Sequence, residues 1–177
     1  MLTEPLPTTL DVRKAAARDA SSSGAVDLSR LQRLRDLVAS GEGHIDAVIR
    51  FSRDEERRSI ATVSVEATLM VHCQRCLESM PVSIRSENQL AVVGDDEAAK
   101  QLPAALDPWV LEGEQGDLWA LVEDELILAL PVVAYHDTPE CLQLMDEYRR
   151  QPETEQSDDN PFKVLEQLKR GTSQQEK

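Results

Sequence analysis

The stretch Ala61-Thr62-Val63-Ser64-Val65-Glu66-Ala67-Thr68-Leu69-Met70-Val71 decides the fold class. Apolar residues at 61, 63, 65, 67, 69 and 71 alternate without a break. Successive side chains of a strand point to opposite faces, so this pattern describes one strand with a buried face and a wet face. On its N-terminal side, Ile45, Ala47, Ile49 and Phe51 repeat the pattern, and the polar run Arg53 to Ser59 reads as a turn. On its C-terminal side, Val82, Ile84, Leu90 and Val92 share one parity. The connections are short. Hairpins need only a few residues, whereas parallel crossovers need a dozen or more. The expectation is an antiparallel sheet built from segments near 44–53, 58–72 and 80–93.

Helical patterns flank these strands. Asp27 is placed to cap a helix over 28–40, with Leu28, Leu31, Leu34, Leu37 and Val38 as its apolar stripe. Asp117 caps a second helix over 117–129, carrying Leu118, Leu121, Val122 and Leu126, and Pro131 stops it. Glu123-Asp124-Glu125 falls within this helix. Consecutive helical acids point in different directions, so the trio reads as a solvated face rather than a catalytic carboxylate pair. Gly94 to Ala105 reads as a short helix or loop, and Trp109-Val110-Leu111 as a further strand. The fold class is therefore α+β, an antiparallel sheet packed with amphipathic helices.

Four regions are expected along the chain. Residues 1–26 form an irregular N-terminal arm broken at Ser21-Ser22-Ser23-Gly24, and residues 27–139 form the α+β core. Residues 140–159 form an acidic, flexible linker. Residues 160–170 form a C-terminal helical motif capped by Asn160, with Pro161 at its first position. The apolar side of that motif, Phe162, Val164, Leu165 and Leu168, is too short to be stable alone, since helices below about 12 residues are marginal in water. It either packs back on its own sheet or docks in a partner's groove.

Composition narrows the function classes. The net charge is −14 over 177 residues. Residues 1–58 carry ten bases and ten acids, while residues 59–177 carry nine bases against twenty-three acids. Nucleic-acid backbones are bound through Lys and Arg that displace counterions, so an acid excess this large disfavours a bare RNA clamp and suits a basic protein partner. Arg13, Lys14, Arg18, Arg30, Arg33 and Arg35 remain as the candidate RNA-contacting set if contact with RNA is direct. No run approaches the roughly 18 apolar residues of a membrane span. Met1 to Leu10 lacks the features of a signal peptide, and three cysteines cannot all pair. These features point to a reducing, cytoplasmic setting. No small-molecule substrate is expected, and neither a Gly-x-Ser-x-Gly nor a His-Glu-x-x-His motif occurs.

The most specific local motif is Cys73-Gln74-Arg75-Cys76, in the connection between two expected strands. Two thiolates spaced this way can supply half of a tetrahedral zinc site. His136 and Cys141 would complete a Cys3His set, with His72 as a rival ligand and His44 poorly placed by spacing. Two other readings stand beside zinc. The thiols can be metal-free structural residues. They can also form a redox pair, although that motif normally opens a helix after a strand.

Several segments together resemble the YceD family. They are Cys73-Gln74-Arg75-Cys76, Val122-Glu123-Asp124-Glu125-Leu126-Ile127-Leu128-Ala129-Leu130-Pro131-Val132-Val133, His136-Asp137 with Cys141, Asn160-Pro161-Phe162-Lys163-Val164-Leu165, and Leu168-Lys169. The resemblance spans roughly residues 5 to 170. It implies a role in normal accumulation of the large-subunit, 23S, ribosomal RNA, and no established catalytic activity. Combined with the charge, it implies a non-enzymatic ribosome-biogenesis factor that binds a basic ribosomal or assembly protein or docks on a pre-23S particle. The alternatives are direct rRNA binding through the N-terminal cations and, with no motif in its favour, an rRNA-processing enzyme.

Overall fold

The computed structural model describes residues 2–143. The chain divides into two compact units, Met1–His136 and Asp137–Lys177. The first holds a five-stranded sheet, a two-stranded sheet and the helices.

The elements of the first unit follow the chain as β1 (Thr9–Asp11), α1 (Val12–Ala16), β2 (Ser21–Ala25), a 3-10 turn (Leu28–Arg30), α2 (Gln32–Arg35), β3 (Gly43–Arg53), β4 (Ser59–His72), β5 (Ser79–Val93), α3 (Asp96–Ala99), β6 (Asp107–Val110), β7 (Gln115–Asp117) and α4 (Leu118–Ala129). The larger sheet has the order β2-β3-β4-β5-β6. All its pairings are antiparallel except β5 with β6, which is parallel. The smaller sheet pairs β1 with β7.

The alternation sets the register. Ile45 pairs with Ala67, Ala47 with Val65, Ile49 with Val63 and Phe51 with Ala61, so the apolar parities of β3 and β4 coincide. All eight are buried. A slip by one residue would turn every one of these side chains to the wet face. On β5, Ile84 sits opposite Ala67 and Leu90 opposite Ala61. Leu118, Leu121, Val122 and Leu126 of α4 belong to the same core cluster. Asp117 caps α4 by accepting from the N–H groups of Trp119 and Ala120, each at 3.0 Å. The helix ends where Leu130, held extended by the following Pro131, leaves the helical region.

Two sequence expectations are corrected. The helix over 28–40 is a 3-10 turn followed by the single turn of α2, separated by Leu31 at φ −92°, ψ 85°. Leu28, Leu31 and Leu34 are buried as the stripe requires, but Leu37 is exposed. The Ser21–Gly24 break is the strand β2, and residues 1–26 are no irregular arm: they supply β1, α1 and β2, and bury Leu6, Val12, Ala15 and Ala16. Pairing with β3 overrides the low strand propensity of small polar residues. Gly24 is needed for close approach. A Cβ there would lie 2.3 Å from the Leu6 nitrogen, where the chain start crosses β2. The strand expected at Trp109-Val110-Leu111 is β6, which runs parallel to β5.

Of the second unit, residues 137–143 are described. The Leu142 N–H donates to the Thr138 carbonyl at 3.2 Å, opening a helical turn. Most of the expected linker 140–159, and all of the motif residues Phe162, Val164, Leu165 and Leu168, lie outside the described residues.

Candidate metal centre and buried polar network

Cys73 and Cys76 sit in the tight connection between β4 and β5. The Cys73 N–H donates to the Glu78 carbonyl at 2.8 Å, and the Leu77 N–H returns to the Cys73 carbonyl at 2.9 Å. Leu77 takes φ 63°, the left-handed conformation that lets the chain reverse. These bonds turn both sulfurs to the same side. The segment after α4 is tied to the turn twice. The Gln74 N–H donates to the Ala134 carbonyl at 2.9 Å, and Gln74 Nε2 donates to the Val132 carbonyl at 3.1 Å. Arg75 stacks on the Tyr135 ring at 4.7 Å.

This docking delivers His136. Its Nδ1 lies 3.2 Å from Cys76 Sγ. The ligand atoms of Cys73, Cys76 and His136 all fall within 4.8 Å of one another. Cys73 is fully buried. Burial pushes its thiol up, but backbone N–H groups of Cys76, His136 and Arg75 outweigh this and bring it down to about 5. A thiol poised as thiolate is the metal-binding form. Two soft sulfurs and one imidazole suit zinc, whose bonds of about 2.0–2.3 Å place neighbouring tetrahedral ligands roughly 3.5 Å apart. The three residues of the first unit therefore fit a zinc ion. All three cysteines of the chain are thiols rather than disulfides. The rival His72 is exposed, its Nδ1 3.2 Å from the Leu77 carbonyl oxygen, and His44 pairs with Asp46 on β3. Cys141 belongs to the second unit, where its N–H approaches Thr138 Oγ1 at 3.5 Å.

The candidate RNA-contacting cations are largely engaged within the protein. Lys14 pairs with Asp11 at 2.8 Å, and Arg30 lies over the Trp119 ring at 4.4 Å. Arg35 donates to the Ser29 carbonyl at 3.1 Å. Arg33 bonds Glu123 at 2.8 Å and Asp124 at 2.6 Å. Arg13 and Arg18 are exposed.

The solvated-face reading of Glu123-Asp124-Glu125 is corrected. Only Asp124 is exposed; Glu123 and Glu125 are buried, at 7% and 4% exposure. Glu123 accepts from Arg33 Nε at 3.0 Å and Nη2 at 2.8 Å, and from the Leu34 N–H at 3.1 Å. Glu125 accepts from Asn88 Nδ2 at 3.4 Å, and the same amide reaches Asp107 Oδ2 at 3.0 Å. Burial holds the Glu125 carboxyl above its ordinary value, and the nearby Asp107 and Asp124 charges add to this against the Asn88 hydrogen bond. The parity of β5 contained a signal for Asn88. It lies in step with Ile84 and Leu90, on the covered face, where a polar side chain needs a partner.

Comparison with known proteins agrees with the motifs. The family described as Large ribosomal RNA subunit accumulation protein YceD matches residues 61–169. A relative in Haemophilus influenzae, Large ribosomal RNA subunit accumulation protein YceD, is 31% identical over 167 residues, covering 93% of this chain and 96% of the relative. No solved structure gives a significant match. The order and spacing of the cysteine turn and the α4 segment, with a family match over more than half the chain and this full-length relative, establish that the chain belongs to the YceD family.

Proposed function

We propose that the protein supports accumulation of 23S ribosomal RNA in the cytoplasm without chemistry of its own, by binding a basic ribosomal or assembly protein. Family membership supplies the process. The observation that favours a protein partner is the engagement of Arg33, the most heavily bonded of the candidate RNA-contacting cations, with Glu123 and Asp124. With twenty-three acids against nine bases beyond residue 58, the long-range field attracts basic proteins and repels phosphate. A salt titration of the purified protein with precursor 23S RNA tests this. Direct phosphate contact gives an affinity that falls steeply with salt. The protein-partner reading expects only weak RNA binding at any salt concentration, and tight, salt-sensitive binding would favour the alternative, direct contact through Arg13, Lys14, Arg18, Arg30, Arg33 and Arg35.

Cys73, Cys76, His136 and Cys141 are proposed to hold one zinc ion. Cys141 follows His136 by five residues, so chain length alone keeps its Cα within about 18 Å of the histidine. Zinc there would fasten the β4–β5 turn to the segment that follows α4. The C-terminal motif of residues 160–170 is proposed as a tethered docking element, joined through the acidic stretch 140–159.

A further inference from the structure

Asn88 and Leu90 of β5, Asp107 and Trp109 of β6, and Leu121 and Glu125 of α4 line a cavity of about 360 Å³. That volume lies at the small end of ligand pockets, about 300–1,000 Å³. We propose that this cavity receives an arginine side chain from the basic protein partner, with Glu125 and Asp107 as its carboxylate acceptors. The inference rests on the protein-binding reading above and names the residue chemistry that reading would use.

The two buried glutamates of α4 make the case. Glu123 has a guanidinium and a backbone N–H on its two oxygens. Glu125 is buried to the same degree, yet it has one long hydrogen bond, from Asn88 to Oε1. Among the described residues, no donor meets its Oε2. A carboxylate offers about four acceptor sites, so Glu125 keeps acceptor capacity that no donor among the described residues uses. Arg33 and Asp124 also line the cavity, but the Arg33 guanidinium is engaged by Glu123 and Asp124, which leaves Glu125 and Asp107 to an incoming cation. Glu125 therefore lines the cavity with acceptor capacity to spare.

The other walls select the occupant. Asn88 spans Glu125 and Asp107 with one amide, which holds two carboxyls near each other. A planar guanidinium carries five donors and can bridge such a pair, whereas an ammonium is a compact point charge. Leu90, Leu121 and Ile127 offer apolar surface for an alkyl stem. Trp109 also lines the cavity, and an indole ring attracts a cation placed over its face. A divalent metal fits less well, since hard cations seek six or more oxygen ligands and this cavity is mainly walled by carbon.

The test uses the full-length protein and agmatine, which carries a guanidinium on an alkyl chain. Butylurea, similar in shape but uncharged, is the control. Saturable NMR shifts are expected at the Trp109 indole N–H and the Asn88 side-chain amide with agmatine and not with butylurea. Glu125→Gln keeps the shape of the side chain and should weaken agmatine binding by about tenfold or more. Asp107→Asn, at an exposed position, should weaken it less. Absence of saturable shifts, equal response to butylurea, or unchanged affinity in Glu125→Gln overturns the proposal. Capture of a basic ribosomal protein from cells separates the two levels. If wild type and Glu125→Gln capture it equally, the cavity assignment fails and the protein-binding reading stands. If wild type captures none, the protein-binding reading itself fails.

Discussion

Glu123 of α4 accepts two hydrogen bonds from the Arg33 guanidinium, at 3.0 and 2.8 Å, and so joins α2 to α4 across ninety residues of sequence. The carboxylate is nearly enclosed, while the guanidinium remains about half exposed. The pair is one-sided in consequence: removing the arginine leaves a buried charge, and removing the glutamate leaves a charge that water can reach.

Arg33→Ala is therefore expected to lower stability by about 2–4 kcal/mol, below the top of the range for a fully buried pair because the guanidinium is partly solvated. Glu123→Gln should cost less. Denaturant unfolding of both single variants and the double variant checks this. A coupling energy near zero in that cycle would show that the pair contributes nothing specific.

Glu125 gives a pH signature of the opposite kind. Its carboxyl is held above the ordinary value by burial, so the folded state binds its proton more tightly than the unfolded state does. Its contribution is most favourable below the unfolded pKa, near 4.3, and is lost as pH rises through the raised folded value. Glu125→Gln should exceed the wild type in stability at neutral pH, with the difference shrinking as pH falls toward about 4. Unfolding free energies of the two proteins over this range decide it, and a difference that does not vary with pH contradicts the assignment.

Metal analysis addresses the cysteine turn. Protein purified reduced and without chelator is expected to carry one zinc per chain, and Cys73→Ser or His136→Ala should lose most of it. A formed thiolate site binds zinc tightly, so less than about 0.1 zinc per chain in folded wild-type protein removes the zinc proposal.

Truncation after Ser157 removes Phe162, Val164, Leu165 and Leu168. The docking proposal expects an unchanged melting temperature with loss of partner capture. A large fall in melting temperature would instead make the segment part of the folded core.

How much of this was legible in the sequence follows from the range of each interaction. The strands β3, β4 and β5 were readable because parity is a local property, and Ala61 to Val71 states it without a break. Asp27 and Asp117 were readable because a cap acts within three residues. The pairing of Cys73 and Cys76 with His136 was accessible through ligand chemistry despite a separation of sixty residues. The N-terminal strands were not legible, since Ser21-Ser22-Ser23-Gly24 becomes a strand only by pairing with β3. The burial of Glu123 and Glu125 is not legible for the same reason. Their acceptability in the interior depends on Arg33 and Asn88, neither of which is near them in sequence.

The central claim is that the protein acts through a basic protein partner rather than through RNA. The most direct test is capture on the full-length chain from growing cells, with and without ribonuclease, followed by identification of bound proteins and RNA. The account predicts a basic ribosomal or assembly protein that stays bound after nuclease treatment. Release of all bound proteins by nuclease, with large-subunit RNA as the retained partner before it, would contradict the account.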